Sequence, residues 1–342
     1  MSHNYLITGG AGFIGCNYVE RLIRRGENVT IFDNLSRKGT SKNLEWLRST
    51  FGEGKFDFIH GDVRDASALE SAVDGKDVIV HLAGQVAVTS SISQPRFDFE
   101  VNALGTLNVL EAARRSNNPP FVIYASTNKV YGEMENIKIS ETKDAYIYTN
   151  QPMGIPETQP LDFHSPYGCS KGAGDQYVRD YYRTYQLPTV VMRQSCIYGP
   201  HQLGIEDQGW VAWFVIAAVL GKPITIYGDG KQVRDVLFVE DLLDAYDAAI
   251  AHRETAAGEI FNIGGGPTNT MSIWAEFGQY LQELLGQEVP VQYSNWRVGD
   301  QRLYISDIRK AQKELEWTPT YDIQHGLQCL YDWVMQNKAL FK

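Results

Sequence analysis

The chain has 342 residues, 43% hydrophobic and 21% charged, with a formal net charge of −10. That length suits one large or two fused domains with a sizeable core, and the composition is globular rather than disordered. The acidic balance speaks against a general binder of nucleic acid or anionic membrane, while leaving room for a local basic pocket.

Four cysteines (Cys16, Cys169, Cys196, Cys329) include no Cys-x-x-Cys pair. Reduced thiols in a cytosolic setting are therefore expected, with no metal site and no disulfide framework. The N-terminus passes from Met-Ser-His-Asn into a strand without a basic-then-apolar signal. The most apolar run, Trp210 to Leu220, is about eleven residues, too short to span a bilayer. A soluble cytoplasmic protein is the expectation.

In chain order, Tyr5-Leu6-Ile7-Thr8 reads as a strand leading into Gly9-Gly10-Ala11-Gly12-Phe13-Ile14-Gly15. Val19, Leu22 and Ile23 then mark a helix face that stops near Gly26, and Val29 to Phe32 is a second strand ending at Asp33. The glycine pattern is G-x-x-G-x-x-G. Gly9 would permit the tight turn, Gly12 a close approach to a pyrophosphate, and Gly15 the packing of helix on strand. The helix N-terminus would present N–H groups to the anion. Asp33, about eighteen residues past Gly15, would accept from the adenosine ribose and repel a 2′-phosphate, which favours NAD over NADP. Arg37 and Lys38 soften that preference.

The alternation continues with a strand at Phe56–His60, then Gly61-Asp62-Val63 and a helix from about Ser67 to Val73. Asp77 to Leu82 is the fourth strand, running into Ala83-Gly84; His81 in it reads as a satisfied core histidine. One long amphipathic helix is expected from about Pro95 to Arg115, and a fifth strand from Phe121 to Ala125, followed by Ser126-Thr127-Asn128. Repeated βα units predict a doubly wound parallel sheet with ligands at the carboxyl ends of its strands. Glu133 to Phe163 is polar, lacks clean periodicity, and reads as a long functional loop.

Tyr167 and Lys171 follow, four apart on a helix running to about Tyr185, so their polar ends share a face. An ammonium beside the phenol should favour phenolate and lower the tyrosine pKa. Tyr177, Tyr181, Tyr182 and Tyr185 form an aromatic stripe suited to packing or a subunit interface. After a sixth strand at Thr189–Met192, turns at Gly221-Lys222-Pro223, Gly228-Asp229-Gly230 and Gly264-Gly265-Gly266-Pro267 separate shorter elements. The expected division is an NAD-binding Rossmann domain over 1–195 and a smaller mixed α/β lobe over 196–342, with a strand near Ile260–Ile263 returning to the main sheet.

Gly9-x-x-Gly12-x-x-Gly15, Asp33, Thr127 and Tyr167-x-x-x-Lys171, in this order, resemble the extended short-chain dehydrogenase/reductase family of nucleotide-sugar enzymes. The resemblance covers nearly the whole chain. It implies NAD held by Gly9, Gly12, Phe13, Ile14, Gly15, Asp33, Asn34, Ser36, Asp62, Val63, Leu82, Ala83 and Gly84, together with Tyr167 and Lys171. It makes Tyr167 the group that moves the sugar hydroxyl proton, Lys171 its partner on the nicotinamide ribose, and Thr127 the group that orients the reacting oxygen, with Ser126 as the fallback.

The same resemblance puts a phosphate arginine at Arg234, in Arg234-Asp235-Val236-Leu237-Phe238-Val239-Glu240-Asp241. It puts a second at Arg297 and a ribose acid at Asp300, in Arg297-Val298-Gly299-Asp300. Planar guanidinium groups suit bidentate phosphate binding. Many family members have Asn where this chain has Cys196. Sugar 4,6-dehydratases follow their threonine with Asp-Glu, where this chain has Asn128 and Lys129, so a dehydratase is disfavoured.

Two longer blocks narrow the likeness: Arg193 to Gln202 with Glu206-Asp207-Gln208-Gly209-Trp210, and Gly299 to Asp307. They resemble the branch of the family that inverts C2 of a CDP-linked 3,6-dideoxyhexose in O-antigen sugar synthesis. Two alternatives stay open at this level: a UDP-hexose 4-epimerase, and a non-catalytic NAD-sensing regulator. Family members commonly pair through their two long helices, here near Pro95–Arg115 and Tyr167–Tyr185, so a homo-oligomer, dimer or tetramer, is expected.

Overall fold

The computed structural model describes residues 2–297 and 299–341. The chain forms two interleaved compact units. One comprises 1–127, 165–193 and 245–261, and the other 128–164, 194–244 and 262–342. Against the division expected at 195/196, the stretch 128–164 is thus gathered into the second unit and 245–261 into the first.

The first unit is built on a seven-stranded sheet. From one edge its order is Ile260–Ile263, Thr189–Gln194, Phe121–Thr127, Val78–His81, Asn4–Thr8, Asn28–Asp33 and Asp57–His60. The pairings from Phe121–Thr127 to the Asp57–His60 edge are parallel. This is a Rossmann-like, doubly wound order, and the strand numbering reverses between Asn4–Thr8 and Val78–His81. Ligands in such sheets bind at that reversal, outside the carboxyl ends of the strands. The strands are near-continuous apolar runs, as expected where helices cover both faces, and Leu6, Ile79, Val122 and Val191 pack with Val109, Leu110 and Val178 of the flanking helices. The Ile260–Ile263 strand does return to this sheet.

The expected single helix at 95–115 is instead three segments. Pro95–Phe99 is α-helical, Glu100–Leu104 is a π turn, and Gly105–Arg115 is α-helical again. The π turn carries Asn102, whose amide is hydrogen-bonded on both sides to the backbone of Gln85. Such turns occur often at functional sites.

The second unit holds a four-stranded sheet of Cys196–Tyr198, Val233–Phe238, Thr270–Ser272 and Leu303–Tyr304. A parallel pair, Ile224–Tyr227 with Val291–Ser294, and the helices Trp210–Val219 and Ile323–Gln336 complete its main elements. The stretch expected to be one loop contains a small antiparallel hairpin, Ile139–Glu141 with Tyr146–Tyr148. Further on, Ile155 is stitched to Ile305 and Asp307 by backbone bonds of 2.8 and 3.0 Å. These are non-local bonds, so no local periodicity announced them. Among the described residues no helix is long and apolar enough to cross a membrane.

Candidate active site

In the first unit, the strand Asn4–Thr8 turns at Gly9 into the helix Phe13–Arg24. Gly9 has φ +71°, and a Cβ there would sit 2.7 Å from Ala83 N. A Cβ on Gly15 would sit 2.4 Å from Gly9 O, so only glycine lets helix and turn close together. The first intrahelical bond runs from Cys16 N to Gly12 O at 2.8 Å. The N–H groups of Phe13, Ile14 and Gly15 precede it and are available to an anion.

Asp33 ends the second strand and is buried. Its carboxylate accepts from Ala11 N at 3.1 Å and Leu35 N at 2.8 Å. Burial pushes its pKa up, against the pull of those two bonds and of His60 and Arg37. Asn34 donates to Asp62 at 2.9 Å, and Ser36 N donates to Asn34 at 3.0 Å. Arg64 above all holds the Asp62 carboxyl down at about 2. Leu82 N and Ala83 N donate to Thr8, at 3.0 Å to its carbonyl and 3.3 Å to its hydroxyl. Val63 is buried against Gly105, and a Cβ on Gly84 would meet Asn102 Oδ1 at 3.0 Å and Lys171 Nζ at 4.0 Å. His81 is a core histidine bonded to Thr8 and Thr106, and burial holds its pKa down at about 3.

The helix Ser165–Tyr185 turns Tyr167, Ser170, Lys171, Asp175 and Val178 inward. Tyr167 N donates to Ser91 Oγ at 3.1 Å, which fixes the helix start. The Tyr167 phenol is hydrogen-bonded with Thr127, at the end of the fifth strand. Ser126 is committed elsewhere: it donates to Asp175 at 2.6 Å.

The expected pKa shift of Tyr167 is corrected by the structure. Burial raises the phenol to about 12; Thr127 and Arg37 oppose this, while Asp98 adds to it. Lys171 supplies no relief because its ammonium donates to Ala125 O at 2.6 Å and lies over the Tyr124 ring at 4.3 Å. Burial lowers Lys171 itself to about 7, against the pull of Asp175 and Asp98. Without ligand, desolvation favours the neutral form of both groups.

Three buried residues to which the sequence analysis gave no role at the site support the pair. Arg193 forks onto Asp175 at 2.9 and 2.8 Å, completing a Ser126–Asp175–Arg193 network. Asp98 accepts from Ser170 Oγ, and also from Gln85 at 2.8 Å and Asn102 at 3.2 Å. Asp175 had a local signal, standing four residues past Lys171 on the same face. Asp98 had none, and Arg193 stood in the Arg193 to Gln202 block with nothing local to mark its pairing with Asp175.

In the second unit, Arg234 is buried on the strand Val233–Phe238. It donates to Val233 O at 2.8 Å, to Asp300 Oδ1 at 2.7 Å and to Gln301 O. Arg297 lies flat over the Tyr227 ring at 3.8 Å, pairs with Asp207 at 3.1 Å and donates to Glu206 O at 3.2 Å. The structure therefore joins Arg234 to Asp300 and sets Arg297 among Tyr227, Glu206 and Asp207. Val298, between Arg297 and Gly299, lies outside the described residues. Asn128 donates to Gln301 at 3.4 Å, and Lys129 donates to Gly299 O at 3.3 Å. Burial raises the Cys196 thiol, against the nearby Arg234.

A family described as GDP-mannose 4,6 dehydratase matches residues 6–330. The chain is 45% identical over 335 residues to the CDP-paratose 2-epimerase of Salmonella typhi, covering 96% of this chain and 98% of that protein. Among solved structures, it superposes on a dTDP-glucose 4,6-dehydratase from Streptomyces venezuelae, determined with NAD bound. The TM-score is 0.85 at 29% identity, covering 99% of each chain. A UDP-glucose 4-epimerase from Thermotoga maritima, solved with UDP-glucose, gives a TM-score of 0.83 at 30% identity, covering 98% of this chain and 99% of that one.

Proposed function

The chain belongs to the GDP-mannose 4,6 dehydratase family, and from that premise we propose that it is an NAD-dependent epimerase. Its reaction inverts C2 of a CDP-3,6-dideoxyhexose, converting CDP-paratose to CDP-tyvelose in O-antigen sugar synthesis. The observation that carries this reading is the likeness to the Salmonella typhi epimerase along nearly the entire chain. Asn128 and Lys129, standing where sugar dehydratases have Asp-Glu, support it from the residues.

The first unit fits a dinucleotide. The glycine turn leaves room where side chains would clash, the first turn of the Phe13–Arg24 helix offers N–H groups to the pyrophosphate, and Asp33 stands ready for the adenosine ribose. Asn34, Ser36, Asp62, Val63, Leu82, Ala83 and Gly84 would line the rest, with Tyr167 and Lys171 at the nicotinamide ribose. NAD, when bound, supplies a reversible hydride acceptor and, in its oxidised form, a positive charge that favours a nearby phenolate.

Tyr167 removes the proton from the C2 hydroxyl as C2 is oxidised, and returns it after the 2-keto sugar has presented its other face. Thr127, already bonded to that phenol, orients the reacting oxygen. Arg234, Arg297 and Asp300 hold the nucleotide and its phosphates while the sugar turns. No net redox change results.

Incubation of the purified protein with CDP-paratose is expected to give an equilibrium mixture with CDP-tyvelose, with no added cofactor consumed. Equilibration of UDP-glucose with UDP-galactose instead would assign the 4-epimerase reaction, and inertness toward both would favour a sensor.

A homo-oligomer accompanies this reading, with the contact on the two helical segments that expose Phe97, Phe99, Leu104, Tyr177 and Tyr185. Static light scattering is expected to give at least twice the mass of one chain, and a single-chain mass would remove the contact.

A further inference from the structure

Asp98 lies in the first unit on the short helix Pro95–Phe99 and is fully buried, while Phe97 and Phe99 on either side of it are exposed. Its carboxylate takes three donors: Gln85 Nε2 at 2.8 Å, Asn102 Nδ2 at 3.2 Å and Ser170 Oγ. All three are uncharged. Gln85 follows Gly84 in the chain, and Ser170 precedes Lys171 on the helix Ser165–Tyr185. A Cβ on Gly84 would lie 4.0 Å from Lys171 Nζ. Asp98 thus ties the stretch beside that ammonium to the helix that carries it.

Two acids act on Lys171, and they are held differently. Asp175 acts on it more strongly, and Asp175 is itself forked by Arg193 at 2.9 and 2.8 Å and accepts from Ser126 at 2.6 Å. Among the described residues no guanidinium or ammonium is hydrogen-bonded to Asp98. The charged groups of its own segment, Arg96 and Glu100, pair with each other at 2.9 Å, and Arg96 is 92% exposed. The cation that acts on Asp98 is Lys171. A buried carboxylate is costly, as is a buried ammonium, and each lowers the cost of the other. The other titratable groups facing these two are the Tyr124 and Tyr167 phenols and His81, all of which burial holds neutral.

We propose that Asp98 is the counter-ion of Lys171, a positioning residue that keeps the ammonium charged and in place on the helix face it shares with Tyr167. The inference rests on the reading of Tyr167 and Lys171 as the pair at the nicotinamide ribose. A charged ammonium there makes charge-assisted bonds to hydroxyl oxygens, about twice as strong as those of a neutral amine.

The test is a double-mutant cycle on the full, ligand-free chain: wild type, Asp98→Asn, Lys171→Met and the double variant, each unfolded in urea at pH 6 and pH 9.5. Asparagine keeps the size of the side chain and removes its charge. At pH 6, Asp98→Asn is expected to lower the urea midpoint more in the presence of Lys171 than in the Lys171→Met background. At pH 9.5, above the value of about 7 to which burial brings Lys171, the two losses should be equal. His81 and the two phenols stay neutral in the folded protein at both pH values. In the NAD-loaded enzyme, the alkaline fall of kcat is expected to begin at least one pH unit lower in Asp98→Asn than in wild type.

Equal losses in both backgrounds at pH 6 would overturn the proposal, making Asp98 a hydrogen-bond acceptor with no charge role. An alkaline fall at the wild-type position would overturn its service to catalysis. If the asparagine variant does not fold, Asp98→Ser completes the same cycle. Failure of the parent reading looks different: wild-type protein that turns over neither CDP-paratose nor UDP-glucose gives no kcat profile at all, while the cycle still reports on Asp98 and Lys171.

Discussion

The two units handle buried charge differently. Around Lys171 in the first unit, that lysine and Arg193 share two buried carboxylates, Asp98 and Asp175, each tied into a network of hydrogen bonds. Around Lys129 in the second unit, Lys129 and Arg234 meet on Asp300, with Glu133 a second carboxylate acting on the lysine. The first arrangement is closed within the protein and suits a group that must stay placed through a catalytic cycle. The second is more open, its Asp300 carboxylate staying partly exposed, and under the proposed function it is where the diphosphate of the substrate would arrive. Under the proposed function, proton transfer and substrate capture would thus rest on separate side-chain networks in one chain.

The largest expected effect tests the first design. Tyr167→Phe deletes only the phenolic oxygen and with it the hydrogen bond to Thr127. General acid–base assistance is typically worth 10²–10⁴-fold, so kcat should fall by about that factor. CDP affinity should stay near wild type, because the second unit loses no group, and most NAD should be retained, because the glycine turn, Asp33 and Lys171 stay in place. Undiminished turnover would remove Tyr167 from the proton step. A joint loss of turnover and CDP affinity would break the separation of the two designs.

What the sequence made legible was local. The strand–glycine turn–helix unit spans few residues, and its close contacts follow from the absence of side chains at Gly9 and Gly15. Tyr167 and Lys171 share a helical face by spacing alone. What escaped was non-local or depended on environment. Asp98 meets Ser170 across 72 residues, and no periodic pattern links them. The π turn at Glu100–Leu104 follows from the tie between Asn102 and Gln85, which only the folded chain supplies. The direction of the Tyr167 shift was misread because the lysine was assumed to face the phenol. In the folded chain its ammonium is spent on Ala125 O, and burial decides the sign.

A smaller effect sharpens the same comparison through pH. Lys171 has its folded-state pKa depressed from 10.5 to about 7. Below pH 7 it is protonated in both folded and unfolded protein, and the penalty for burying its charge is fully present. Between pH 7 and 10.5 the unfolded chain binds more protons than the folded one, so this group makes stability rise with pH. Above 10.5 the penalty is gone. Tyr167, raised to about 12, contributes in the opposite sense and only above pH 10, whereas His81, lowered to about 3, contributes in the same sense but only below pH 6.5. Urea unfolding of ligand-free wild type and Lys171→Met at pH 7, 8.5 and 10 is therefore expected to show wild type gaining on the variant as pH rises. A stability difference that stays constant across this window would mean that Lys171 keeps an ordinary pKa.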